Sequence, residues 1–284
     1  MMPAPSGAAD FGVRFRRSRN AMIGAVIVAA VLLVALFGPF FVPHDPNKVN
    51  MLAVWRPPDD TYWLGADALG RDVFSRIVVG ARVSLTVAMS VLAITLALGT
   101  ILGMTAAWFG GWVDALIMRT VDIIFAFPEL ILAILIAAIL GPGLGTVIIA
   151  LSLVWWPGIA RLTRSLVLSL KEEMFVDAAI ASGTPVARIM RRHFLPNIVA
   201  PLIVRASIGV GFIIMAEATL SFLGIGVQEP QPTWGAMIRD GLTQLRTDPH
   251  MALWASAALG VTMIGFNLLG DGLRDILDPR LQER

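Results

Sequence analysis

Side chains able to do covalent or metal chemistry are scarce in this sequence. Cysteine is absent, which removes thiolate nucleophiles, disulfides and thiolate metal sites together. The three histidines, His44, His193 and His250, are far apart and outside any HExxH pattern, so no histidine metal centre is indicated. The only lysines, Lys48 and Lys171, follow Asn47 and Leu170, and neither completes a GxxxxGK(S/T) phosphate loop. A GxSxG nucleophile elbow is also missing. The remaining chemistry lies in charges set within apolar runs: Asp122, Glu129 and Glu217, with Arg119 nearby. A charge at the centre of a membrane helix costs about 3 kcal/mol on insertion scales, so such groups pair, bond inside a bundle or face water. Arg119 and Asp122 are three residues apart and read as a structural ion pair. Glu129 follows Pro128, whose missing N–H loosens a helix, and either faces a pathway, where it could meet a solute's amino group, or bonds within the bundle. Glu217 is the second pathway candidate, with a structural hydrogen-bonding role favoured.

The elements that must hold these groups follow from composition. The chain has 284 residues, 57% apolar and 15% charged, against about 25% charged in an ordinary soluble domain. A net charge of +2 does not suggest nucleic-acid binding. Apolar blocks at 21–43, 84–108, 118–140, 144–159, 200–223 and 251–269 predict six transmembrane helices in an all-α integral membrane protein. The first is too long for a signal-peptide core. The organisation expected is a cytoplasmic tail over 1–20, a first helix over 21–43, an extracytoplasmic segment over 44–80 and a core over 81–284. Most of the 22 basic residues fall on the side of the N-terminus, which predicts N-in and C-in. The first 13 residues are expected to lack order. Gly141-Pro142-Gly143 makes a tight hairpin between the third and fourth spans. Gly99 and Gly103 form a GxxxG pair in the second. Gly209 and Gly211 thin the fifth span, and Gly260 and Gly265 the sixth. Trp55, Tyr62 and Trp63 in the outer segment suit either a membrane-interface belt or a protein contact.

The longest inner connection, 169–197, reads SLKEEMFVDAAIASGTPVARIMRRHFLPN. Residues 172–182 predict a helix with Phe175, Val176, Ala179 and Ile180 on its apolar side. Gly183 breaks it. Thr184 then caps a second helix with Pro185 at its first position. Val186, Ile189, Met190 and His193 continue the apolar side, and Pro196 ends or bends the piece. Two readings stay open on physics alone: a hairpin lying on lipid headgroups with Arg188, Arg191 and Arg192, or a plug that docks into a partner's groove.

The spacing Asp177, Ala178, Ala179, Gly183, His193, Leu195 and Pro196 resembles the EAA loop of ABC-importer permeases. Asp177 replaces the usual Glu and His193 the usual isoleucine. The stretch 64–85, LGADALGRDVFSRIVVGARVSL, resembles the entry to the second span of peptide and nickel permeases. The stretch 216–238, AEATLSFLGIGVQEPQPTWGAMI, resembles the end of their fifth span and the loop beyond. The first span with its long outer segment is similar to the N-terminal region of C-type subunits. The resemblance implies the type I ABC-importer permease fold and a non-catalytic subunit of the inner membrane. It implies a homologous B-type permease, two ATP-binding subunits or one fused ATPase holding ATP and Mg, and an extracytoplasmic substrate-binding protein as partners. It also implies that Asp177, Ala178, Ala179, Gly183, Leu195 and Pro196 couple the chain to the ATPase. The cargo it implies is di- or oligopeptides, with nickel chelates or another small solute as the alternative. A secondary transporter would need none of these partners.

Overall fold

The computed structural model describes residues 8–277, whose regular elements are helices, with irregular stretches over 41–72 and 223–233 and one isolated β-bridge between Ala66 and Asp72. A short helix, α1 (Ala8–Arg17), precedes α2 (Arg19–Phe37), which starts where the Ser18 hydroxyl accepts the Ala21 N–H. Residues 8–13 therefore belong largely to a helix, contrary to the expectation of disorder. The expectation for 1–7 lies outside the described residues.

After the irregular stretch over 41–72, α3 (Val73–Phe109) begins on the Asp72 carboxylate, which accepts the Ser75 N–H at 3.1 Å. It has 37 residues, about 55 Å, and far exceeds a bilayer core of about 30 Å. It starts well before the apolar block because Val73, Val78 and Ala81 are buried against protein, where hydropathy does not set the limits. Gly110, at φ +61, ends α3 and leads into α4 (Gly111–Phe125).

The single third span expected over 118–140 is two helices. The axis bends by 92° between α4 and α5 (Glu129–Leu140). Pro128 accounts for the break: it lacks an N–H, and it holds Phe127 out of the helical region. Next come α6 (Leu144–Lys171), α7 (Met174–Ala181), the single turn α8 (Val186–Ile189), α9 (Leu195–Phe222), α10 (Trp234–Leu242) and α11 (His250–Leu277). Among the described residues, five helices are long and apolar enough to cross a membrane, and α4 with α5 as one broken span makes six.

Two tight seams organise the bundle. A Cβ on Gly99 would lie 2.5 Å from Ile159 Cβ, and one on Gly103 would lie 2.5 Å from the Ala160 carbonyl oxygen, so α3 and α6 meet backbone to backbone. In the second seam α2 lies on α11: Gly24 meets the Leu268–Leu269 backbone, Gly265 meets Ile27 and Gly272 meets Ala21. Gly209 and Gly260 have nothing within 4 Å of a built Cβ, so neither thins its helix for a neighbour in this chain. Leu85, Val91, Leu151, Ile213, Leu220 and Phe266 fill the core between α3, α6, α9 and α11. Pro157 lies inside α6 without ending it.

Candidate functional site

The connection after α6 is a rooted elbow. Lys171 sends its ammonium to the carbonyls of Ala107 (3.0 Å) and Trp108 (3.1 Å), the last residues of α3. A lysine near a helix C-terminus satisfies carbonyls that have no helical partner. Val176, Ile189 and Phe194 are fully buried with Ala107, Val167, Ile198 and Leu202, where the C-terminal parts of α3 and α6 meet the N-terminal part of α9. The apolar side expected for the loop is therefore divided. Val176, Ala179 and Ile189 turn inward, whereas Met174 (86% exposed), Phe175, Ile180 (51%) and Val186 face out. Asp177, Ala178, Gly183, Arg188, Arg191 and Arg192 are exposed with them.

Gly183, at φ +73, makes the corner, a conformation that costs other residues roughly 1–2 kcal/mol. Thr184 does not cap the next turn as expected. Its hydroxyl lies 3.1 Å from that of Ser182, and Pro185 flanks α8 without a side-chain cap. Pro196 does not end the helix either: it sits in the first turn of α9, where its missing N–H costs nothing. A five-residue π-turn, Met190–Phe194, joins α8 to α9. His193 is half-buried, its ring 6.0 Å from that of Phe175.

A charged face runs along α4, α6 and α9. Arg164 holds Asp114 through two bonds of 2.5 and 2.6 Å. Arg161 holds Asp122 at 2.7 Å, which corrects the expected Arg119–Asp122 pair. Arg119 is exposed and makes no ion pair among the described residues. The reason is geometric: Arg161 reaches Asp122 from the facing helix with its guanidinium stacked 4.6 Å over the Phe125 ring, a cation–π gain that Arg119 lacks. Phe125 also lines a cavity of about 230 Å³ with Glu129, Trp155, Gly158, Arg205 and Phe212. Glu129 thus stands in a cavity. Glu217 does not: it is fully buried between α3 and α9, accepting from Ser84 (2.9 Å) and Ser221 (2.8 Å), so its candidacy for the pathway is corrected to an internal bond. Arg161, Arg164 and Arg205 were missed as site residues. The available signal was Arg205 inside the 200–223 apolar run, with Arg161 and Arg164 just past the 144–159 block, each requiring a counter-charge or water.

The end of the bundle at the start of α3 carries a third cluster. Arg71 and Arg76 are buried, and both reach Asp67 and Glu229. Arg76 also donates to the Pro46 carbonyl at 3.0 Å. Burial opposes ionisation of the Glu229 carboxyl, but the Arg71 hydrogen bond and the charges of both arginines outweigh it and hold its pKa below the ordinary range. Burial likewise opposes the charge on Arg71, and its bonds to Glu229 and Asp67 reverse that, raising its pKa. The stretches 64–85 and 216–238, separate in sequence, therefore form one joint: Arg71 and Arg76 on Glu229, Trp234 Nε1 donating to the Ile77 carbonyl at 3.1 Å, and Ser84 on Glu217. Tyr62 is buried beside His44 and Trp55 lies edge-on to His250, while Trp63 is 57% exposed.

A broken-span helical bundle with a rooted elbow and a charged face is the architecture of a polytopic permease subunit. The chain belongs to the binding-protein-dependent transport system inner membrane component family, whose model matches residues 99–283. Residues 8–58 match the N-terminal transmembrane domain of oligopeptide transport permease C. The chain is 41% identical over 269 residues to a dipeptide transport system permease protein of Alkalihalophilus pseudofirmus, covering 95% of this chain and 88% of that one. It is 41% identical over 274 residues to a glutathione transport system permease protein of Escherichia coli O6:K15:H31 (96% and 90% covered). The corresponding protein of Pectobacterium atrosepticum is 39% identical, with 96% and 91% covered. The family read from the sequence is thus the family found. The chain is a non-catalytic permease component of an ABC transporter in the inner membrane.

Proposed function

We propose that this chain forms half of the translocation pathway of an ATP-driven importer for di- and oligopeptides, with its elbow seated on an ATPase subunit. The observation that carries this reading is the division of the elbow. Its buried half is anchored on α3, α6 and α9 through Val176, Ile189 and Phe194. Its open half offers Met174, Phe175, Ile180 and the small Ala178 to another protein. An anchored element with an open apolar face must follow whatever groove receives it. ATP-driven closure of two ATPase subunits, or of one fused ATPase, draws the elbows of this chain and a B-type permease together and switches the access of the spans. Asp177 and Gly183 lie in the docked face, and Leu195 with Pro196 passes the motion into α9. Arg14, Arg16, Arg17 and Arg19 support a cytoplasmic N-terminus. Peptides are the favoured cargo because the relatives are named for dipeptide and glutathione transport. An extracytoplasmic binding protein delivers them.

The test is reconstitution with the partner permease, ATPases and binding protein in proteoliposomes. ATP-dependent uptake of labelled di- to hexapeptides is expected. Uptake of a nickel chelate alone would overturn the peptide assignment, and uptake without ATP would overturn the importer reading. Gly183→Trp should insert normally but lose ATP-driven uptake; normal uptake by that variant would remove the elbow from coupling.

A further inference from the structure

Glu129 and Arg205 are both exposed, line the same cavity and, among the described residues, make no hydrogen bond or ion pair. The neighbouring charges differ: Asp114 is held by Arg164 and Asp122 by Arg161. One acid and one base therefore line one cavity without pairing with each other or with a neighbour among the described residues. An isolated charge there needs water or a ligand. The remaining wall is aromatic, with Phe125, Trp155 and Phe212, the last two rings 6.4 Å apart. Gly158 lies beside the Arg205 guanidinium, where an added Cβ would make an ordinary contact of 3.8 Å. The space is about 230 Å³, below the range of roughly 300–1,000 Å³ for drug-sized ligands.

We propose that this cavity is a subsite for short zwitterionic peptides, in which Glu129 receives the α-ammonium group and Arg205 the α-carboxylate. This rests on the permease reading above and names the chemistry that the pathway recognises. The termini of an extended dipeptide are about 7 Å apart, so one small molecule can meet both groups without their meeting each other. Arg205 presents a fork suited to a carboxylate. The aromatic wall takes an apolar side chain of any shape, which suits a pathway that must release what it holds.

The complex of this chain with its partner permease and ATPases, in nanodiscs and without the binding protein, is titrated with radiolabelled Leu-Leu. N-acetyl-Leu-Leu and Leu-Leu amide serve as competitors. Each blocked peptide should compete about tenfold less well than free Leu-Leu. Arg205→Gln should erase the penalty of the amide alone, and Glu129→Gln that of the acetyl group alone. Equal competition by all three peptides, absence of saturable binding, or penalties unchanged in the variants would overturn the subsite. In that case both charges answer groups of the partner permease. ATP-driven uptake by the complete system is scored separately, so loss of the subsite and loss of the permease reading give different results.

Discussion

Gly103→Ala tests whether the seam between α3 and α6 carries the stability of this bundle. The added methyl carbon would lie 2.5 Å from the Ala160 carbonyl oxygen, 2.7 Å from Thr163 Cβ and 3.1 Å from the Arg164 nitrogen. Two of these three atoms are α6 backbone, which has no rotamer to change. Ordinary contact begins near 3.4 Å, so α6 must withdraw by about 1 Å along the seam. Overpacking of this kind costs about 1–3 kcal/mol, and the better helix propensity of alanine returns at most about 1 kcal/mol. A net loss of about 1 kcal/mol changes the folded ratio by roughly fivefold and lowers the melting temperature by about 2–4 °C. Gly209→Ala and Gly260→Ala are the controls, because nothing lies within 4 Å of either built Cβ. They should be neutral or stabilising by up to about 1 kcal/mol. The assay is thermal unfolding of the purified chain alone in detergent, followed by monodispersity. A neutral Gly103→Ala, or a Gly209→Ala as damaging as Gly103→Ala, would refute the steric reasoning.

Three further outcomes follow from the charged and buried groups. The ordinary Glu229 pKa of 4.5 is lowered in the fold, so its tie to Arg71 and Arg76 is complete above about pH 4.5 and is lost as pH falls through the lower folded value. Limited proteolysis of the outer segment should rise over that acid range in the native chain, whereas Glu229→Gln should flatten the profile. Asp122 and Arg161 are each more than half exposed, so a double-mutant cycle in thermal stability should give a coupling of about 0.2–1 kcal/mol, and a cycle with Arg119 should give none. Glu217→Ala leaves the Ser84 and Ser221 hydroxyls without their acceptor and should lower stability by about 1–2 kcal/mol. Glu217→Gln, which keeps an acceptor oxygen, should restore most of it in the same melting assay.

The long apolar runs made most of the helical spans legible, because hydropathy over about 20 residues reports the solvent around a helix. It does not report where a helix ends inside protein, so the buried first turns of α3 were not visible in composition. Pro128 was recognised as a weak point, but a 92° bend depends on what α4 and α5 pack against. Arg119 looked like the partner of Asp122 because sequence spacing ranks neighbours on one helix; the pair that forms joins residues 39 apart. The division of the elbow into anchored and open halves was hidden for the same reason. Val176 and Phe175 are adjacent and both apolar, and only the inner ends of α3, α6 and α9 separate them. The motif stretches 64–85 and 216–238 were each evident as patterns, but their joining through Glu229, Trp234 and Glu217 is a tertiary fact.

The seam between α2 and α11 also sets a timetable. Gly24 is made about 240 residues before the Leu268–Leu269 backbone it meets. At roughly 5–20 residues per second, α2 waits on the order of 10–50 s before its partner helix exists. During that interval its Gly24 notch is open to lipid or to insertion machinery. This seam closes only when α11 arrives, so a chain truncated before α11 leaves α2 without its principal neighbour.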